Sequence, residues 1–161
     1  MTVWRMAMRG RHDPSNGSWL EPAREMWLRC RDLGVAAITY DPVECDDFRN
    51  YTRDHPPQRW REMTPSQRYA LARFIYEMQV GDVIYVKQGR TIVGRGIIAG
   101  DYHFDLVDLP GDLGTRWRHQ RRVGWCSDFG IREVTLGKQQ NVAIVRLTQA
   151  DVTLVEEAPT C

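Results

Sequence analysis

The stretch Gly81-Asp-Val-Ile-Tyr-Val-Lys-Gln-Gly-Arg-Thr-Ile-Val-Gly-Arg-Gly-Ile-Ile-Ala-Gly-Asp-Tyr-His-Phe-Asp105 is followed, after a loop, by Trp117-Arg-His-Gln-Arg-Arg-Val-Gly-Trp125. Asp82 to Val86 and Thr91 to Ala99 are rich in apolar and β-branched residues. Lys87-Gln-Gly-Arg90 between them is turn chemistry, so the pair reads as a β-hairpin. Gly94, Gly96 and Gly100 interrupt the second strand, as expected where a sheet bends to close a barrel. Tyr102 to Asp105 continues the strand, 106–114 with Pro110-Gly111 is a loop, and Arg121 to Cys126 is a further strand. Just past the hairpin, aromatic and basic residues stand together.

Working outward, a helix leads into the hairpin. Thr64-Pro-Ser-Gln67 is a capping box with proline inside it, and Leu71, Phe74, Ile75 and Met78 form an apolar stripe at helical spacing. Upstream, Thr2 to Met8 reads as a first strand and Arg11 to Ser18 as loop. A helix follows from Pro22, which suits a helix start, to Leu33, with Gly34 as its stop. Val35-Ala-Ala-Ile-Thr-Tyr40 is a continuous apolar strand buried on both faces, stopped by Asp41-Pro42. Residues 43–63 form an irregular insertion with short helical turns. Val142 to Leu147 is another strand, and Val152 to Val155 one more or a short terminal element. The order β-α-β-α and then mostly β predicts a single α+β domain over residues 1–161: a curved mixed β-barrel with two main helices packed outside.

Composition narrows the function. The chain has 161 residues, enough to bury a core. No apolar run approaches the roughly 20 residues a membrane span needs, and no secretory signal is visible, so a cytoplasmic protein without a membrane partner is expected. Cys30, Cys45, Cys126 and Cys161 form no close pair, which argues against a zinc site and against disulfides, and no cofactor is expected. The net charge of +1 argues against bulk coating of nucleic acid. Lys87 and Lys138 are the only lysines; the other cations are arginines, whose planar fork suits phosphate and whose flat face suits bases. A genome rich in G and C is the better explanation of that total, so local clustering carries more weight.

Enzymatic chemistry finds little support in the pattern. Asp46 and Asp47 are adjacent in a turn-like region, where capping is the plain explanation. Asp82 and Lys87 resemble a nuclease pair, but no second carboxylate shares the strand. His103 and His119 are the general-base candidates of an alternative in which the protein acts on nucleic acid or a nucleotide, yet neither has an evident nucleophile. No catalytic residue is therefore assigned.

An opening strand with Trp4, a helix leading to Gly34-Val-Ala-Ala-Ile-Thr-Tyr40, the Gly-Asp-Val-Ile-Tyr-Val hairpin, Gly94-x-Gly-x-x-x-Gly-Asp-Tyr102 and a basic strand closing on Val123-x-Trp125 resemble the EVE-like domains of the PUA superfamily. The pattern is similar to modified-DNA-binding N-terminal domains of McrB-type restriction GTPases, with YTH and SRA domains as distant relations. These 161 residues hold no GTPase domain, and 43–63 has no counterpart in the pattern. The resemblance covers about Val3 to Leu147. It implies a PUA-like barrel that flips a modified base into an aromatic pocket without catalysis, in DNA rather than RNA, in restriction or defence, with a partner protein supplying any catalysis.

On that basis Trp117, in the loop before the closing strand, is the foremost cage wall, against the alternative of a tryptophan packed under the loop. Trp27 corresponds to a cage tryptophan of the early helix but fits the core stripe as well. Tyr102 and Trp19 complete the aromatic set. Arg9, Asn16 and Ser18 in the first loop face the pocket, although Ser-Asn-Gly is also simple turn chemistry. Arg116, Arg118, His119, Arg121 and Arg122 are the phosphate-binding cluster; a solvated face is the usual meaning of such a run, and the interleaved Trp117 favours phosphate. Trp4 and Trp125, on strands, belong to the core.

Overall fold

The computed structural model describes residues 1–9, 11–12, 15–16, 19–105, 117–136 and 143–161, with the backbone alone at 11–12 and 19–21. The chain runs β1 (Val3–Ala7), β2 (Arg11–His12), β3 (Trp19–Glu21), α1 (Ala23–Leu33), β4 (Val35–Ile38), three 3-10 turns (Asp41–Val43, Phe48–Asn50, Gln58–Glu62) and α2 (Pro65–Ala72). A π-helical turn (Arg73–Glu77) extends α2. Then come β5 (Val83–Gln88), β6 (Thr91–Ile98), β7 (His103–Phe104), β8 (His119–Trp125), β9 (Arg132–Glu133), β10 (Ile144–Arg146) and α3 (Gln149–Glu157).

Eight of these strands form a curled mixed sheet in the order β10-β1-β5-β6-β8-β4, with β7 also on β8 and β9 also on β6, while β2 and β3 pair with each other. Among the described residues only the β1–β5 pair is parallel, with Val3 beside Val83 and Ala7 beside Lys87. The fold is α+β, a half-barrel with helices outside. Its two ends, β10-β1 and β4, are not paired with one another among the described residues.

Local chemistry explains the elements. The expected capping box is present: Gln67 N donates to Thr64 Oγ1 at 3.3 Å, and Thr64 N donates to Gln67 Oε1 at 3.0 Å. Leu71, Phe74, Ile75 and Met78 are all buried, and Met78 N reaches back to Arg73 O, the wider ring of a π turn. All four residues of β4 are buried, as its unbroken apolar run predicts. The excursion of short turns expected over 43–63 is present and begins with the turn Asp41–Val43.

Of the two readings of the segment around Val152–Val155, a strand or a short terminal element, the structure has the second, as a third helix. A second capping box starts it, with Asp151 N on Thr148 Oγ1 at 3.2 Å and Thr148 N on Asp151 Oδ2 at 2.9 Å. Val155 then anchors the helix in the core. The glycines of β6 serve close packing as well as the expected bend, which agrees with a register shift in the β5–β6 pairing beside Gly94. A Cβ on Gly94 would lie 2.3 Å from the Trp27 ring, and one on Gly96 would lie 2.6 Å from the Trp125 ring. The indoles press onto bare backbone and meet each other edge to face, with centroids 4.8 Å apart. Trp125 Nε1 also donates to Cys30 O and Val35 O, both at 3.2 Å, tying β8 to α1 and β4.

Asp82, which the sequence offered as a nuclease-like carboxylate, is a structural tie. Its oxygens accept from Trp4 Nε1 at 2.9 Å, Thr2 N at 2.8 Å and Gln79 N at 3.0 Å. Burial opposes its ionisation, but these bonds outweigh it and hold the carboxyl below the usual range.

Candidate functional site

The unpaired ends of the half-barrel frame a cavity of about 380 Å³. Met6 and Ala7 of β1, Ala37 and Ile38 of β4, and Ile144 of β10 supply an apolar floor. Trp117 and Tyr40 supply aromatic rings, and Arg9, Thr39, Asp41 and Gln67 supply polar groups. A cavity above ~300 Å³ with an apolar lining and few polar groups has the character of a small-molecule or single-base site.

Each wall follows from the local sequence. β4 is buried along its length and turns sharply at Asp41-Pro42, which leaves Thr39 and Tyr40 at the strand's end, where the sheet opens. Burial pushes the Tyr40 hydroxyl up to about 12, with Arg9 acting the other way, so Tyr40 is a neutral phenol able to donate and accept. Gln67 reaches the cavity from the capping box of α2, its oxygen already committed to Thr64.

Of the residues the sequence proposed, the structure brings Trp117 and Arg9 to this cavity. Trp117 is only 5% exposed and belongs to an apolar cluster with Met8, Met26, Trp27, Cys30 and Val86. It is thus both wall and core, so its replacement by alanine would disturb the fold as well as the cavity. Trp27 shares that cluster and packs on Gly94 and Trp125, away from the lining. Tyr102 belongs elsewhere: its hydroxyl lies 2.9 Å from His119 Nδ1 and accepts from Phe48 N at 3.3 Å. Asn16 sits exposed in a turn. Ser18 and Arg116 lie outside the described residues, as does the side chain of Trp19, whose backbone is in β3.

The expected phosphate cluster does not form one surface. His119 has no exposed area; its Nε2 donates to Val43 O at 2.9 Å and its Nδ1 accepts from Tyr102. Burial lowers its pKa to about 4, against opposing effects of the Val43 bond and the Asp47 charge, so the ring is neutral. Arg121 is buried too, giving Nε to Phe74 O at 2.6 Å, Nη2 to Ile75 O at 2.9 Å and Nη1 to Gly100 O at 3.3 Å. Both side chains clamp the excursion and the end of α2 to the sheet. Arg118 is half-buried, and Arg122 is exposed. His103 Nε2 lies 3.2 Å from Gln120 Oε1 and does not line the cavity. Among the described residues no group of three or more His, Cys, Asp or Glu side chains is placed to hold a metal, and no helix is long and apolar enough to cross a membrane.

Tyr40, Thr39, Asp41 and Gln67 are the site residues that sequence reasoning missed. The signal was present in part: an all-apolar strand ending abruptly in Tyr-Asp-Pro places those side chains at a sheet margin.

A family model described as a domain of unknown function (DUF8426) matches residues 18–151, and the chain belongs to that family. No curated protein matches it. Among solved structures, the NMR structure of Rpa0253 from Rhodopseudomonas palustris is similar at 15% identity with a TM-score of 0.47, covering 96% of this chain and 90% of that one.

Proposed function

We propose that this member of the DUF8426 family is a non-catalytic nucleic-acid-binding module that takes a flipped or unpaired modified base, in DNA in preference to RNA, into the cavity at the mouth of the half-barrel. The observation that carries this is the cavity itself: about 380 Å³, apolar below, with Trp117 and Tyr40 in its walls and Arg9, Asp41 and Gln67 among its polar groups. Extruding a base costs a few kcal/mol. Stacking on an aromatic side chain returns roughly 1–3 kcal/mol per base, so two rings suffice to offset the extrusion. A methyl group on the base adds about 0.8 kcal/mol in a dry pocket, and the polar groups at its edge discriminate more strongly by leaving a wrong base unpaired.

The curled mixed sheet, the helices outside it and an aromatic-walled opening at its margin also support placing the fold with the EVE-like members of the PUA superfamily. A role in restriction or defence in the cytoplasm, with a separate protein supplying any catalysis, goes with that assignment.

The test is binding of the purified protein, at stated salt, to matched oligonucleotides: DNA and RNA, single and double stranded, with methylated and unmodified cytosine and adenine. The wild type should prefer one modified base in DNA by about tenfold or more. Filling the cavity by Thr39→Trp should remove that preference without unfolding the protein. Affinity indifferent to base, modification and strandedness would refute the proposal, and a preference for RNA would redirect it.

A further inference from the structure

Three arginines distant in sequence converge on one carboxylate beside the cavity. Glu77, at the end of the π turn, faces Arg53 of the excursion at 3.2 Å, Arg146 of β10 at 3.6 Å and Arg73 of its own turn at 3.9 Å. Three guanidiniums against one carboxylate leave an excess of two positive charges among these four groups. Arg53 and Arg146 have side chains 61% and 59% exposed.

Two of the guanidiniums are held over rings, Arg146 at 5.1 Å from the Trp4 centroid and Arg73 at 5.1 Å from that of Tyr69. Stacking fixes the plane of the fork and leaves N–H edges for an anion. Arg73 also donates from Nη1 to the carbonyl of Ile144, a residue of the cavity floor. Arg146 follows Ile144 by two residues along β10, on the same strand face and about 7 Å farther on.

We infer that Arg53, Arg73 and Arg146 bind the phosphate backbone of the nucleic acid, forming a ridge along which a strand runs while one of its bases enters the cavity. The inference rests on the base-binding function proposed for that cavity. Exposed ion pairs contribute about 0–1 kcal/mol each, so a phosphate displaces Glu77 from Arg53 or Arg146 at little cost. A charge-assisted, two-pronged bond from guanidinium to phosphate is stronger than the single-pronged ion pair it replaces. The ridge takes over the role that the sequence assigned to the basic run of β8, whose His119 and Arg121 are buried.

The test uses a short single-stranded DNA and the same strand with its central base removed, with dissociation constants measured from 50 to 200 mM salt. Removing one arginine–phosphate pair lowers the slope of log affinity against log salt by about 0.7. The double variant Arg53→Ala, Arg146→Ala should therefore lower it by about 1.4 and weaken both strands alike. Arg31→Ala, at an exposed site on α1, should change neither. An unaltered slope in the double variant, or an equal loss in Arg31→Ala, would overturn the ridge. Thr39→Trp separates the two ideas, because it should weaken only the strand that retains its base. If it weakens neither strand while the double variant still lowers the slope, the cavity proposal fails and the ridge stands. No binding of either strand at 50 mM salt would overturn both.

Discussion

The basic run of β8 and the arginine trio around Glu77 carry similar side chains in opposite surroundings. His119 and Arg121 are close in sequence and point into the protein, where carbonyls of Val43, Phe74, Ile75 and Gly100 consume their donors. Arg53, Arg73 and Arg146 are far apart along the chain and meet at the surface beside one carboxylate. Density of charge along a chain thus says little about charge at a surface. What matters is whether the backbone around a cation has unsatisfied carbonyls to offer. The π turn has them at Phe74 and Ile75, because C=O groups near the end of a helical turn lack partners within the element.

The comparison can be broken most forcefully at Arg121. Arg121→Met keeps much of the packed stem but strands three carbonyls, and should cost about 3 kcal/mol or more in urea unfolding, since each buried orphan costs roughly 1–3 kcal/mol. A cost under about 1 kcal/mol, the low end of that range for a single orphan, would mean that Arg121 is not a clamp.

His119 gives a comparable effect that depends on pH. The unfolded chain binds a proton at this ring below its ordinary value of 6.5, whereas the folded protein resists protonation down to about 4. Its contribution is therefore complete above pH 6.5, is lost as pH falls from 6.5 to about 4, and changes no further below that. The loss should amount to roughly 3 kcal/mol. His119→Gln should flatten that part of the stability profile relative to wild type, and identical slopes for the two proteins would contradict the buried neutral ring. The smallest effect belongs to the surface trio: Arg146→Ala should shift unfolding by less than about 1 kcal/mol, although it bears on binding. A larger shift would make the trio structural, like its counterpart in β8.

The fold was legible where neighbours in sequence determine the outcome. Thr64 to Gln67 contains its own cap, Leu71 to Met78 its own stripe, and Val35 to Ile38 its own double-sided burial. α3 was legible as well, through Thr148 and Asp151, but Val152 and Val155 fit a strand as well as a helix, and the cap was the discriminating detail. The glycines of β6 were ambiguous for a physical reason. A missing Cβ signals that something comes close or that the chain bends, and only the positions of Trp27 and Trp125 reveal the close approach. The cavity was half legible. Trp117 and Arg9 flank recognisable loops, whereas Tyr40 and Gln67 come together only because the sheet curls β4 toward β1 and β10. Strand alternation by itself would leave every second side chain of β8 outward. His119 is buried by Val43 and Phe48 of the excursion, Arg121 by the end of α2, and Gln120 against Trp117 and His103, long-range effects with no local signature.

The most direct measurement is the affinity of wild type and Thr39→Trp for a single-stranded DNA bearing one methylated base and for its unmodified twin. Wild type should bind the methylated strand about tenfold or more tightly, and Thr39→Trp should bind both equally and weakly while unfolding at the wild-type urea concentration. Equal binding of both strands by wild type, unchanged in Thr39→Trp, would show that the cavity receives no base.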